Sequence, residues 1–244
     1  MRPVLILQHQ TPERPAYLST WLDQHGIAHE TRNAGRGERF PSSIEPYAAL
    51  AVMGGGMSAN DDLMSNRQAE ILILQAVLRG RPTIGHCLGG QLMTRALGGE
   101  VMASPQPEIG WQPIQWNNDI LTEQWFGRQP TPRVAQWHYE AFTIPPRATP
   151  LATSGACENQ AWAWGPHLAM QFHIEIDADK AREWAADGDD KWDQAKSQYP
   201  TVQSAEEIVA GIEPYLAQHQ ATADRVYHRW LMGSAWADTL RTHK

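Results

Sequence analysis

Residues 81–92 read RPTIGHCLGGQL: a short apolar run ends in Gly-x-Cys-x-Gly and continues into helix-forming sequence. A nucleophile on a sharp strand-to-helix turn needs glycines beside it, because larger side chains would clash there. The helix that follows directs its N-terminus at Cys87, and this end of a helix favours a thiolate. The stretch therefore predicts a nucleophile elbow with Cys87 at its tip.

Strands and helices alternate through the first hundred residues. Apolar strands are predicted at residues 4–8, 27–31, 48–53 and 83–86, and helices at residues 12–25, 66–79 and 88–97. This alternation is typical of a mostly parallel sheet with helices on both faces. We therefore expect an α/β fold.

The pattern changes beyond residue 100. Short β-like pieces bounded by Pro and Gly are predicted at residues 110–116, 133–137, 151–153, 160–164 and 168–173. From Asp177 onward the composition favours helices, at residues 177–186, 205–217 and 223–240. We expect an α/β domain of residues 1–176 that carries the candidate catalytic residues. Residues 177–244 would form a C-terminal helical extension packed on it.

A possible base lies at the end of the last predicted strand, in Gln171-Phe172-His173-Ile174-Glu175. Alternate residues of a strand project to the same face, so Glu175 can hold one ring nitrogen of His173 while the other faces a nucleophile. Taken alone, a strand-end histidine beside a solvated glutamate is the better interpretation. Together with the Cys87 elbow, the pair indicates a nucleophile, a base and a residue that orients the base.

An oxyanion site is predicted where the strand at residues 48–53 ends in Gly54-Gly55-Gly56. Such a turn lets backbone N–H groups approach a substrate oxygen, and the N–H of Leu88, next to the nucleophile, would be the second donor. A glycine run alone equally fits a tight turn. Its place beside the elbow strand favours the functional interpretation.

Composition narrows the classes of protein further. The chain has 244 residues, a formal net charge of −7 and two cysteines, Cys87 and Cys157. Two cysteines give no disulfide framework and no CxxC metal site, and the negative charge argues against nucleic acid as a partner. No apolar run is long enough to span a bilayer, and the N-terminus reads as a strand rather than a signal peptide. We expect a cytoplasmic protein without metal or cofactor.

Three segments, in this order and spacing, resemble those of the class I (triad-type) glutamine amidotransferases, most of all the glutaminase domain of GMP synthetase and its stand-alone relatives. Residues 53–58 resemble the family's Ser-Gly-Gly-Pro-x-Ser turn, residues 85–91 its elbow, and residues 171–175 its Gln-Phe-His-Pro-Glu segment. Shorter matches lie at residues 108–111, 138–145 and 159–161. The resemblance covers about residues 45–176 and implies a flavodoxin-like sheet.

The resemblance implies a role for each matched residue. Cys87 would attack the side-chain amide carbon of glutamine, His173 would carry the proton, and Glu175 would orient His173. The oxyanion donors would be the N–H groups of Gly55 and Leu88. Residues implied to hold the amino-acid end of the substrate are Gly56, Gln91, Trp137, His138 and Tyr139. For His138, plain packing fits equally well.

The chain also departs from the family pattern. Ile174 and Gly56 each replace a proline, and the second change predicts a more flexible oxyanion turn. Residues 137–140, Trp-His-Tyr-Glu, differ from the family's His-x-Asp pattern. Nothing resembles the Ser-Gly-Gly-x-Asp-Ser loop of an ATP pyrophosphatase, so any ammonia acceptor would bind on another chain.

Four functions remain open at this point. The protein could supply ammonia to a synthase partner, or hydrolyse small γ-glutamyl compounds by itself. It could also be a catalytically silent regulatory module of the same fold, or a redox-sensing thiol protein. The intact set of Cys87, His173 and Glu175 favours the first two.

Overall fold

The computed structural model describes residues 2–117, 119–128, 132–188 and 190–232. Its strands are β1 Val4–Gln8, β2 His29–Asn33, β3 Ala49–Val52, β4 Thr83–His86, β5 Val101–Pro113, β6 Gln115–Trp116, β7 Arg133–Phe142, β8 Thr149–Thr153, β9 Ala161–Trp164 and β10 His167–Met170. Its helices are α1 Tyr17–Gln24, α2 Met64–Leu78, α3 Leu88–Ala96, α4 Ile120–Phe126, α5 Ala178–Ala186, α6 Asp190–Gln198, α7 Ala205–Ala210 and α8 Ile212–Met232, with a 3-10 turn at Ala34–Arg36.

The main sheet has the order β2-β1-β3-β4-β10-β9-β8-β6. The first five of these strands run parallel to their neighbours, and β9, β8 and β6 continue the sheet antiparallel. Strands β5 and β7 form a separate antiparallel pair. The α/β fold with a mostly parallel sheet, expected from the sequence, is confirmed.

Both faces of the sheet are covered. Val4 and Ile6 of β1 belong to one buried apolar cluster and Leu5 and Leu7 to another, because alternate residues of a strand face opposite sides. Helices α1, α4 and α8 contribute to the first cluster, and helices α2 and α3 to the second. A strand buried on both faces reads as a continuous apolar run, which explains the sequence of β1.

The parallel strands β1, β3, β4 and β10 bring four loops to one edge of the sheet. Ligands of open α/β sheets bind at the carboxyl ends of the strands. The loops that start there are residues 9–16, 53–63, the elbow at Cys87, and residues 171–177. The topology therefore gathers the three segments that carry the resemblance.

Two helix predictions need correction. Helix α1 begins at Tyr17 rather than residue 12, because Pro12 and Pro15 lie in a loop that precedes it. Helix α8 is one continuous helix from Ile212 where two were predicted, and the polar helix α6 was not predicted. The part of the last predicted helix beyond Met232, up to Leu240, lies outside the described residues.

The strand argument for His173 and Glu175 is wrong. Strand β10 ends at Met170, and both residues lie in the loop that follows it, Glu175 within a turn. The segment is fixed by other bonds: the His173 N–H donates to the carbonyl of Ala135 at 2.9 Å, and the Tyr17 N–H donates to that of Glu175 at 2.9 Å. The two residues thus meet through a turn rather than through a shared strand face.

The C-terminal helices pack on the sheet. Val226, Tyr227, Trp230 and Leu231 of α8 lie fully buried in the first apolar cluster, beside Trp21 of α1. The division into residues 1–176 and 177–244 stays a prediction. None of the described helices combines the length and the apolarity needed to span a bilayer.

Candidate active site

Cys87 lies between β4 and α3, with backbone angles of φ 48° and ψ −110°. A positive φ is unfavourable for a residue with a side chain, so the elbow is strained and must be held by its surroundings. The Cys87 N–H donates to the carbonyl of Met170 at 2.9 Å. A Cβ atom at Gly89 would lie 2.0 Å from the carbonyl oxygen of Val52, and one at Gly85 would lie 2.6 Å from the backbone of Gly89. Both glycines are therefore required by close backbone contact.

The thiol of Cys87 makes hydrogen bonds to Trp137 and Gln171. It donates to the carbonyl of Trp137 at 3.5 Å, and the side-chain amide of Gln171 donates to the sulfur at 3.5 Å. Gln91 in turn donates to Gln171 Oε1 at 3.4 Å. Gln171 was missed as a candidate site residue, although it stands two positions before His173 in the quoted motif.

His173 and Glu175 form the expected pair. The imidazole Nδ1 and the Glu175 Oε1 are 2.7 Å apart, and both side chains are buried. Burial alone would lower the pKa of His173; the charge of Glu175 and the interaction with Cys87 outweigh it and raise this pKa to about 10. Nε2 of His173 has no hydrogen-bond partner among the described residues. The three predicted catalytic side chains are thus gathered, with one imidazole nitrogen left for the nucleophile.

Glu175 is fully buried in a polar pocket. Burial favours its protonation, but the positive charges of Lys180 and His173 hold its pKa well below the usual range. His86 Nε2 lies 3.9 Å from Glu175 Oε2, and burial lowers the pKa of His86 to about 4. His86 therefore points into the structure, as expected, and is neutral near pH 7.

Lys180 and Glu13 are site residues that sequence reasoning missed. Lys180 Nζ lies 3.1 Å from Glu175 Oε1 and 3.2 Å from Glu13 Oε2, and its side chain is fully buried. Glu13, His173 and Glu175 offer ligand atoms within 4.8 Å of one another, as a metal site would. An ammonium group already bonded to both carboxylates does not fit beside a cation, so we assign no metal to this group.

The glycine turn after β3 lies against the pair. A Cβ at Gly54 would lie 2.8 Å from Cε1 of His173, and one at Gly55 would lie 2.8 Å from Cδ2 of Leu88. The Gly56 N–H donates to the side-chain oxygen of Gln10 at 2.7 Å. The turn predicted to be flexible thus has a hydrogen bond to the loop after β1.

A cleft of about 740 Å³ opens above Cys87. The predicted residues that line it, besides Cys87 and His173, are Gly55, Gly56, Gln91, Trp137, His138 and Tyr139. Leu88 and Glu175 are buried and do not line it. The C-terminal helices and the turn between them supply one wall, through Trp184, Asp187 and Lys191. Lys191 Nζ lies 3.7 Å above the ring of Tyr139.

The imidazole of His138 belongs to a buried hydrogen-bond network. Its Nδ1 lies 3.0 Å from the carbonyl oxygen of Glu140, and its Nε2 lies 3.1 Å from Glu108 Oε2. Glu108 also accepts from Gln160 and Ser154 in the same buried network. Both ring nitrogens have partners, which favours packing for the ring, and a substrate contact of His138 stays a prediction.

Glu140 is a further cleft residue that the sequence did not single out. Its carboxylate accepts hydrogen bonds from the hydroxyl of Ser58, at 2.7 and 3.0 Å. It lies in the segment where the chain departs from the His-x-Asp pattern. It adds a further carboxylate to the lining of the cleft.

Comparisons with known proteins agree with this geometry. The family model described as "Glutamine amidotransferase class-I" matches residues 37–185. The glutamine amidotransferase-like protein YfeJ of Salmonella typhimurium is 31% identical over 183 residues, which are 72% of this chain and 76% of YfeJ. One subunit of the glutamine-hydrolyzing GMP synthase of Ignicoccus hospitalis is 33% identical over 156 residues, 62% of this chain and 78% of that protein.

Solved structures give the same result. A glutamine amido transferase from Methylobacillus flagellatus has a TM-score of 0.89 and 36% identity, and the match covers 96% of this chain and 95% of that one. In this chain, the elbow, the glycine turn and the His-x-Glu segment meet at one edge of the main sheet. The Methylobacillus protein has the same fold. The chain belongs to the class I glutamine amidotransferase family.

Proposed function

We propose that the protein hydrolyses the side-chain amide of glutamine, or a related γ-glutamyl amide, through a thioester on Cys87. The observation that carries the proposal is the position of His173. Its Nδ1 is held by Glu175, its Nε2 is buried without a hydrogen bond in the described part of the chain, and its side chain interacts with that of Cys87. This is the relation of base, orienting carboxylate and nucleophile that acyl transfer needs.

In the first half of the reaction, the sulfur of Cys87 attacks the amide carbon while the proton it has given up is held on Nε2 of His173, whose raised pKa favours the protonated ring. The carbonyl π electrons move to the oxygen and give a tetrahedral oxyanion. When the carbon–nitrogen bond breaks, His173 gives the proton to the nitrogen and ammonia leaves. A γ-glutamyl thioester remains on Cys87.

In the second half, His173 takes a proton from water and the hydroxide adds to the thioester carbon. The carbon–sulfur bond breaks, the thiolate receives the proton, and glutamate leaves. Throughout, Glu175 stabilises the imidazolium ring and fixes its tautomer. The sum is one amide and one water converted to one acid and one ammonia.

We propose the N–H groups of Gly55 and Leu88 as donors to the oxyanion. One such donor is worth about 3 kcal/mol of transition-state stabilisation. The close approach of Gly55 to Leu88, where a Cβ would meet the Leu88 side chain at 2.8 Å, supports this pairing. Gly56, Gln91 and the backbone of residues 137–139 would hold the amino-acid end of a small-molecule substrate.

The direct test is ammonia release from glutamine by the purified protein, with Cys87→Ala as the comparison. Turnover by the parent and none by the variant is expected. A glutamine-like diazo ketone should also add its mass to Cys87. Full turnover by Cys87→Ala would exclude the thioester route, and a folded parent that neither turns over nor takes up the diazo ketone would favour a silent module.

Two versions of the activity are separated by substrate and partner. Relatives named as subunits of GMP synthase favour a protein that gives ammonia to a synthase chain in the cytoplasm. The cleft of about 740 Å³, in the range that holds drug-sized ligands, favours a stand-alone hydrolase of larger γ-glutamyl amides. Glutaminase activity that rises when a synthase is added supports the first version. Fast turnover of γ-glutamyl dipeptides by the isolated chain supports the second.

A further inference from the structure

Lys180 lies in the first turn of α5 and is fully buried, which is rare for a lysine unless its charge is paired. Its ammonium group has three oxygen neighbours. They are Oε1 of Glu175 at 3.1 Å, Oε2 of Glu13 at 3.2 Å, and the carbonyl of Arg14 at 3.1 Å. The amine therefore has as many acceptors as it has protons.

The same oxygen of Glu175 serves both Lys180 and His173. Oε1 lies 2.7 Å from the imidazole Nδ1 and 3.1 Å from the ammonium group. The other oxygen, Oε2, accepts no hydrogen bond from the described residues. The orientation of the Glu175 carboxylate is thus set by two groups that both contact Oε1, the imidazole of His173 and the ammonium group of Lys180. Of these two, only His173 takes part in the proposed proton transfer.

A second path leads from Lys180 to the imidazole through Glu13 and Trp184. Glu13 pairs with Lys180 through Oε2 and accepts from Trp184 Nε1 through Oε1, at 3.1 Å. The ring of Trp184 meets His173 edge to face, with centroids 4.7 Å apart and an interplanar angle of 80°. Lys180 is therefore linked to His173 in two ways, directly through Glu175 and indirectly through Glu13 and Trp184.

Resting on the proposed function, we propose that Lys180 is a positioning residue for the catalytic pair: it holds the Glu175 carboxylate against His173 Nδ1 and, through Glu13, holds Trp184 against the imidazole. It also balances the charge of two buried carboxylates. Without it, Glu13 and Glu175 would leave an excess negative charge beside His173, and the imidazolium would release its proton to the leaving group less readily.

Other titratable groups around the pair do not supply this positive charge. They are His86 of β4, Cys87 of the elbow, and His219 and Tyr227 of α8. Burial lowers the pKa of His86 and of His219 to about 4, and it raises the pKa of Tyr227 well above its ordinary value. All three are neutral near pH 7. Arg14 offers the cluster its carbonyl, while its guanidinium pairs with Asp177 and Glu183.

Two single variants test the proposal with opposite signs. Lys180→Met removes the positive charge at nearly constant volume, and Glu13→Gln removes one negative charge while keeping an oxygen for Trp184. We would follow His173 by NMR of labelled histidine over a pH series, assigning its signal from His173→Asn. Activity would be measured in parallel as kcat and KM for glutamine. Lys196→Met is the matched control, because Lys196 forms an exposed pair with Asp193.

The expected result is a higher imidazole midpoint in Lys180→Met and a lower one in Glu13→Gln, each by about one pH unit, or tenfold in proton affinity. In Lys180→Met, kcat should fall about tenfold or more, the typical size of a general acid–base contribution being 10²–10⁴-fold. KM should stay within about threefold, because Lys180 does not line the cleft. The double variant should return the midpoint toward that of the parent.

Midpoints that stay at the parent value in both single variants would overturn the proposal, even if Lys180→Met melts at a lower temperature. If Lys180→Met does not fold, the sign of the Glu13→Gln shift decides. The NMR arm is independent of turnover. Shifted midpoints in a protein that hydrolyses no glutamine would support the positioning role of Lys180 and reject the proposed function. Turnover of glutamine with unshifted midpoints would support the proposed function and reject the positioning role.

Discussion

His219 Nε2 donates a hydrogen bond of 2.8 Å to the backbone carbonyl of His173. The carbonyl can only accept, so the neutral ring carries its proton on Nε2; burial lowers the pKa of His219 to about 4 and favours this neutral form. Helix α8 is thereby joined to the loop that holds the proposed base. His173 is thus fixed at its ring by Glu175 and at its backbone by α8.

Replacing His219 with Phe should weaken the fold and the activity together. The carbonyl of His173 would lose its partner in a buried place, at a cost of about 1–3 kcal/mol. The proposed base would be less well fixed, so kcat should also fall. Urea unfolding and glutaminase assays measure both effects. His228→Phe is the control, since His228 is exposed on the same helix; equal losses in the two variants would contradict the prediction.

The strained backbone of Cys87 predicts an inverse relation between stability and function. Glycine adopts a positive φ without the steric cost, so Cys87→Gly should be more stable than Cys87→Ala by about 1 kcal/mol. Neither variant should hydrolyse glutamine. Urea unfolding of the pair gives the difference directly. A less stable glycine variant would mean that the elbow carries no strain.

The glycines of the elbow predict a sharp contrast between two alanine substitutions. In Gly89→Ala the new Cβ would lie 2.0 Å from the carbonyl oxygen of Val52, so strand β3 and helix α3 must move apart. We expect a loss of about 3 kcal/mol in the free energy of unfolding. Gly155→Ala is the control, because nothing lies within 4 Å of its Cβ position. A mild effect at Gly89 would contradict the geometry of the elbow.

Glu140 predicts an effect on binding rather than on the chemical step. Glu140 lines the cleft and is held by Ser58, and we expect its carboxylate to pair with the α-ammonium group of a glutamine substrate. Glu140→Gln should raise KM about tenfold or more and leave kcat nearly unchanged, as expected when uniform binding is lost. Glu100→Gln, at an exposed position outside the cleft, should change neither. A fall in kcat at constant KM would assign Glu140 to the reaction itself.

Local patterns carried most of what the sequence could predict. The elbow, the glycine turn and the His-x-Glu segment each combine glycines or polar residues with a strand end within a few positions, and the alternation of elements places those ends at one edge. Strand boundaries were less accurate: apolar residues recur at Phe172 and Ile174, beyond the polar Gln171, although the sheet pairing of β10 ends at Met170.

Lys180, Glu13 and Gln10 could not be predicted in this way. Each is a single polar residue in a segment that would be read as a solvated surface, and each acquires its role from a contact across the fold. Lys180 follows Glu175 by five positions but meets it only because Asp177 caps α5 and turns the chain back. Contacts of this kind depend on tertiary structure, which periodicity and motif spacing do not record.

The buried histidines predict how stability depends on pH. Burial lowers the pKa of His9, His86, His167 and His219 from 6.5 to about 4. The unfolded chain therefore binds protons that the folded chain excludes, so the free energy of unfolding should fall as pH drops from 6.5 toward 4. His173 has the opposite sign: its raised pKa keeps it protonated in the folded chain, so its stabilising contribution is complete below about pH 6.5 and is lost as pH rises toward 10.

The size of the fall is large enough to measure. A fully buried histidine such as His86 or His219 contributes up to about 3 kcal/mol over the whole window. Urea unfolding at pH 7, 6, 5 and 4.5 should show a slope that steepens below the ordinary histidine pKa. In His219→Phe the slope of the free energy of unfolding against pH should correspond to about one proton fewer taken up on unfolding. A free energy of unfolding that stays level from pH 7 to 5 would show that solvent reaches these rings. It would also contradict a buried hydrogen bond from His219 to the backbone of the proposed base.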